Sequence, residues 1–94
     1  MNSSIKRIHA IVHGRVQGVF FRETTCRQAT TLALSGWVKN LADGTVETEF
    51  QGEEKTVTRM LDWLPQGSSL SEVTRVESQE KNPVSEEADF VITW

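Results

Sequence analysis

The sequence lacks most of what would place a protein outside the ordinary interior of a cell. Its 94 residues contain one cysteine, Cys26, so no disulfide can close within the chain. No charged n-region followed by an apolar stretch opens it, which argues against secretion. No apolar run approaches the roughly 18 residues that a membrane span needs. Together these absences lead us to expect a soluble protein in a reducing, cytoplasmic setting. Repeats, linkers and low-complexity tracts are also missing, so residues 1–94 are expected to build a single domain. With 37% apolar and 24% charged residues the chain can bury a core, and disorder is excluded.

Charge is short on one side only. The net value of −3 argues against nucleic acid or an anionic membrane as partner. That average conceals a division, because residues 1–40 carry six bases (Lys6, Arg7, Arg15, Arg22, Arg27, Lys39) and one acid, Glu23, whereas residues 41–94 carry four bases and twelve acids. A cationic segment inside an acidic protein points to a local anion site, unless the two halves simply interleave on the surface.

Hydrophobic periodicity organises the chain. Residues 6–13 alternate, with Ile8, Ala10 and Val12 on one face and Arg7, His9, Ile11 and His13 on the other, the pattern of a strand. Gly14 and Gly18 bracket a loop. Over residues 22–34 the spacing turns helical, and Gly36 stands where a helix commonly stops. The threonines of this segment make it a weak isolated helix that packing must hold. Residues 36–41 and 45–51 read as two strands joined through Asp43-Gly44, a hairpin signal, with Val46, Thr48 and Phe50 buried and Glu47, Glu49 and Gln51 wet. Glu53-Glu54 start a second helix carrying Val57, Met60, Leu61 and Leu64 on one face, ended by Pro65 and Gly67. Residues 72–81 give a weaker strand, and Phe90, Ile92 and Trp94 alternate as a last one; whether these are two strands or one bent element is left open by the pattern. The order β-α-β-β-α-β specifies an α+β, ferredoxin-like sandwich, an antiparallel sheet with two helices on one face. Many functions share that fold, so the chemistry must come from particular residues.

Those residues lie in Gly14-Arg15-Val16-Gln17-Gly18-Val19-Phe20-Phe21-Arg22. A glycine-bracketed turn between a strand and a helix lets successive backbone N–H groups face inward as a nest, which binds anions. The first helical turn adds unpaired N–H groups and a partial positive charge. No Ser, Thr, Asp or Asn precedes Arg22 to cap that turn, so its donors stay free. Arg22 then offers a planar, permanently charged fork suited to two phosphate oxygens. Neither the Gly-Lys-Ser/Thr ending of a nucleotide P-loop nor a GxGxxG dinucleotide fingerprint is present. Local physics leaves two readings, a phosphate site or a tight turn beside a surface arginine.

GRVQGVFFR at 14–22, followed by GWVKN at 36–40, DGTVE at 43–47 and QG at 51–52, resembles the acylphosphatase family. The likeness runs over most of residues 8–67, and the two motifs in order are far more specific than either alone. It implies a ferredoxin-like fold and hydrolysis of the carboxyl–phosphate bond of small acyl phosphates, with no metal and no cofactor. By the same resemblance, Arg22 grips the phosphoryl group together with backbone N–H groups of Arg15, Val16, Gln17, Gly18, Val19 and Phe20, while Asn40 orients the attacking water. In a split β-α-β topology the first two strands are parallel with one strand between them, so their ends lie roughly 10 Å apart and Asn40 reaches toward the loop. Ala33 stands where many relatives have glycine, and Ser68-Ser69 replaces a common Pro-Pro; neither is expected to touch the site, so both bear on stability or loop order and not on the assignment.

The remaining candidates read as structural. His9 and His13 lack the neighbours a metal centre needs and are expected at the surface. Cys26 reads as a small core residue, Trp37, Trp63 and Trp94 as packing, Lys6, Arg7, Arg27 and Lys39 as surface charges, and residues 86–89 as a solvated turn. An RNA-recognition module shares the element order, but Glu47 and Glu49 stand where its third strand would need aromatic and basic residues. An acylphosphatase-like module embedded in hydrogenase maturation machinery is a second alternative, disfavoured by the short chain. The expected protein is a monomeric enzyme acting on a small-molecule substrate, without nucleic-acid or membrane partners.

Overall fold

The computed structural model describes residues 4–94. Five strands and two helices follow in the order β1 (Ile5–Arg15), α1 (Phe21–Thr31), β2 (Ser35–Asn40), β3 (Val46–Glu53), α2 (Glu54–Trp63), β4 (Glu72–Lys81) and β5 (Phe90–Ile92). The strands form one sheet ordered β4-β1-β3-β2-β5. β3 pairs antiparallel with both β1 and β2, which makes β1 and β2 run the same way with their C-terminal ends at one edge.

Burial follows the alternation of each strand. Ala10 and Val12 of β1, Val38 of β2 and Val46, Thr48 and Phe50 of β3 face the helices and are fully buried. From α1 the residues Phe21, Thr25 and Ala29, spaced four apart, reach that layer, and Val57 and Met60 do so from α2. Each large apolar side chain sealed in this way contributes about 1.5–3 kcal/mol. That packing offsets the poor intrinsic helicity of the threonine-rich α1.

The structure settles one open point and adjusts two expectations. Residues 72–81 and 90–92 are two strands at opposite edges of the sheet, and β5 lies parallel to β2, so the sheet is mixed at that edge. α1 stops at Thr31, earlier than its periodicity, because Ala33 turns left-handed (φ 58°) and Leu34 N–H donates to the Ala29 carbonyl at 2.9 Å.

The face away from the helices is less wet than its sequence indicates. The link between the two edge strands passes over it, where Gln51 exchanges two hydrogen bonds with the backbone of Val84 at 2.8 and 2.9 Å. Arg7, expected at the surface, is only 3% exposed beneath this link. Its guanidinium meets both oxygens of Glu87 at 2.7 and 3.2 Å, Gln51 Oε1 at 3.1 Å and the Glu49 carboxylate. Glu87 therefore belongs to a half-buried ion pair and not to a solvated turn. On the same face His9 pairs with Glu47 at 2.7 Å and His13 with Glu77 at 2.6 Å.

Candidate active site

The site begins where β1 breaks register. Between His13 and Gly14 the pairing with β4 shifts, and Gly14 (φ 122°) lies so close to β4 that a Cβ there would collide with the Glu72 carbonyl oxygen. Beyond Arg15 the chain turns inward on two apolar anchors, the buried Val16 and Val19. Gly18 and Phe20 between and after them have positive φ, 73° and 61°. Open space surrounds the position of a Gly18 Cβ, so glycine is required there by conformation and not by crowding. Positive φ at two positions separated by one residue is the kind of backbone from which anion-binding nests are built. No side chain caps α1 at Phe20, as expected.

Three side chains hold this loop in place. Gln17 Nε2 donates to the carbonyls of Leu41 and Thr45, both at 2.8 Å, tying the loop to the turn that follows Asn40. That turn is itself fixed by Asp43, whose Oδ1 accepts from Thr45 N–H at 3.0 Å and from Thr45 Oγ1 at 2.6 Å. These Thr45 donors hold the Asp43 carboxyl below its ordinary range. From the opposite side the buried Ser68 hydroxyl donates to the Val19 carbonyl at 3.1 Å. Because the peptide group is planar and trans, the Phe20 N–H must then point away from Ser68. Ser68 thus touches the loop, contrary to the expectation that the departures at 68–69 lie clear of it.

A cavity of about 160 Å³ opens at this end of the sheet, lined by Val16, Gly18, Phe20, Phe21, Arg22, Glu23 and Asn40. Arg22 and Asn40, eighteen positions apart in sequence, meet here because β2 ends beside β1 with only β3 between. Asn40 Oδ1 is buried without a hydrogen-bond partner among the described residues. Such an acceptor costs about 1–3 kcal/mol when left unmet, so it marks a place built for a donor. The Arg22 guanidinium has no hydrogen bond or ion pair among the described residues; its Cζ lies 4.3 Å from the centre of the Trp94 ring.

Of the residues expected to touch substrate, Val16, Gly18, Phe20, Arg22 and Asn40 line the cavity, while Arg15, Gln17 and Val19 do not appear in its wall. Arg15 ends β1 opposite Glu72, and Gln17 and Val19 support the loop from behind. Sequence reasoning missed Glu23 in the lining. It also took Trp94 for packing, whereas that ring is 89% exposed and lies over Arg22. Among the described residues no group of three or more His, Cys, Asp or Glu side chains is placed to hold a metal ion, and no helix is long and apolar enough to cross a membrane.

Fold and cavity together define an α+β sandwich in which a strand-to-helix loop, an arginine and a carboxamide line one cavity. Comparison with known proteins makes this specific. The family model described as Acylphosphatase matches residues 8–92. A curated acylphosphatase of Roseiflexus sp. is 42% identical over 94% of this chain and 95% of its own. A crystal structure of the acylphosphatase from Bacillus subtilis superposes with a TM-score of 0.91 at 34% identity, covering 97% of this chain and all of that one. That of Coxiella burnetii gives 0.89 at 39% identity, covering 95% and 93%. The chain belongs to the acylphosphatase family, whose activity is hydrolysis of the carboxyl–phosphate bond of acyl phosphates.

Proposed function

We propose that this protein hydrolyses small acyl phosphates without a metal or other cofactor, with Arg22 and the backbone N–H groups of residues 15–20 binding the phosphoryl group and Asn40 orienting the attacking water. The observation that carries this assignment is the pairing of complementary unmet groups in one cavity, a free guanidinium fork on Arg22 and a free acceptor on Asn40. Phosphoryl transfer through a loose transition state needs in-line positioning and charge stabilisation above all. A carboxylate leaves readily, so no general acid is required. The Asn40 carbonyl accepts one hydrogen bond from the water and aligns it but is too weak a base to remove its proton. A phosphoryl oxygen of the substrate takes that proton.

The same reading extends to the setting. Residues 1–94 act as one domain, a monomer in the cytoplasm. Nucleic acid is not a partner, in keeping with the net charge of −3. The test is phosphate release from benzoyl phosphate with and without a chelator. Equal turnover in both is expected; no turnover above background would overturn the assignment, and loss with chelator would overturn metal independence.

A further inference from the structure

Trp94 is the most exposed of the large apolar side chains among the described residues, yet its place is fixed. β5 runs parallel to β2 with Val38 opposite Ile92, and the next residue, Thr93, donates its N–H to the Val38 carbonyl at 2.8 Å. Trp94 thus follows directly on a backbone hydrogen bond at the sheet edge where β2 ends in Asn40. Its indole stands over Arg22 with 4.3 Å from ring centre to Cζ, well inside the roughly 6 Å range of a cation–π contact.

We propose that Trp94 is a positioning residue for Arg22, holding the guanidinium by its flat face so that its in-plane donors stay open to the phosphoryl group. This rests on the function proposed above. Two kinds of partner could order an arginine at an anion site. A carboxylate would occupy the N–H edge and cancel the charge, in competition with substrate. An aromatic face instead takes the weakly hydrated face of the ion and leaves all five N–H donors and the full charge available. The structure combines the second arrangement with a lack of edge partners on Arg22 among the described residues. By contrast, the buried Arg7 is held by its edges in two carboxylates and an amide. Glu23, which follows Arg22 and lines the cavity, is not bonded to it.

The test measures the inhibition constant of inorganic phosphate and the KM and kcat for benzoyl phosphate in the wild type and in Trp94→Ala, Trp94→Phe and Trp94→Leu. Because the ring is on the surface, none of these changes threatens folding. Trp94→Ala is expected to raise both the phosphate constant and KM by roughly fivefold with kcat nearly unchanged, the signature of binding shared by ground and transition states. Trp94→Phe should recover most of the loss, and Trp94→Leu, apolar but without a π face, should not. Wild-type constants in Trp94→Ala, or equal rescue by leucine, would overturn the proposal while leaving the catalytic assignment standing. Failure of the wild type both to bind phosphate and to turn over benzoyl phosphate would instead remove the assignment, and this inference with it.

Discussion

Two arginines, fifteen residues apart in one sequence segment, are used in opposite ways. Arg7 is sealed under the 82–89 link with every face of its fork engaged by Glu49, Gln51 and Glu87. Arg22 sits half-buried at the cavity with an indole on its face and no edge partner among the described residues. The first arrangement consumes the charge inside the fold; the second keeps it for a ligand. Composition treats the two alike, as members of one cationic segment, so the surplus of bases in residues 1–40 indicates an anion site only after Arg7 is subtracted.

The contrast is broken most strongly at Arg7. Arg7→Ala leaves two half-buried carboxylates facing each other, and removal of one partner from a buried pair costs about 3–5 kcal/mol. A fall of that size in urea-derived stability is expected, with turnover per folded molecule unchanged. Arg22→Ala should do the reverse: loss of a charge-assisted donor costs about 2–4 kcal/mol of transition-state stabilisation, on the order of 10²–10³ in kcat/KM, while the urea midpoint stays put. Asn40→Ala separates the two functions of the cavity. Misplacing the nucleophile costs about 10² in kcat, and the inhibition constant of inorganic phosphate should not move. If phosphate binding were lost as well, the water-orienting role would be wrong.

Smaller effects sharpen the same comparison. Arg7 holds the Glu87 carboxyl below the ordinary glutamate value of about 4.5. A folded-state pKa below the unfolded one gives stability that is complete above about pH 4.5 and is lost as pH falls through the folded value. Glu87→Gln should therefore lower stability at pH 7 by about 1 kcal/mol and flatten its decline in acid, read from urea midpoints between pH 3 and 7. At the far end of α1, Ala33 is held left-handed (φ 58°), where glycine is more at ease. Ala33→Gly should raise stability by about 0.5–1 kcal/mol, part of the strain relief being offset by glycine's freedom in the unfolded chain, and should leave turnover alone.

Local chemistry made much of this legible in advance. Alternation at Ile8, Ala10 and Val12, the Asp43-Gly44 hairpin and the 57–60–64 stripe are short-range signals, and they place β1, β2, β3 and α2 near their observed limits. Arg22 stands out by the loop that precedes it, whereas Asn40 is picked out by the family resemblance, and the topology then brings the two strand ends together. What escaped notice depends on partners far along the chain. Arg7 is buried by Glu87, eighty residues away, and Ser68 meets Val19 from forty-nine positions off. β5 is three residues long and joins β2 in parallel at the sheet edge, a choice no local pattern encodes, and Trp94 reaches Arg22 only because of it. The glycine loop was read as a ring of donors, but half its side chains serve to anchor it: Val16 and Val19 in the core, Gln17 on the turn after Asn40.

The most direct test of the central claim, that free donors at Arg22 and its loop form the anion site, is a titration of inorganic phosphate followed by amide and guanidinium NMR signals. Saturable shifts confined to residues 15–22 and Asn40, abolished in Arg22→Ala and retained in a folded Glu87→Gln variant, are the expected result. Shifts centred instead on the His9 and His13 face, or none at millimolar phosphate, would contradict it.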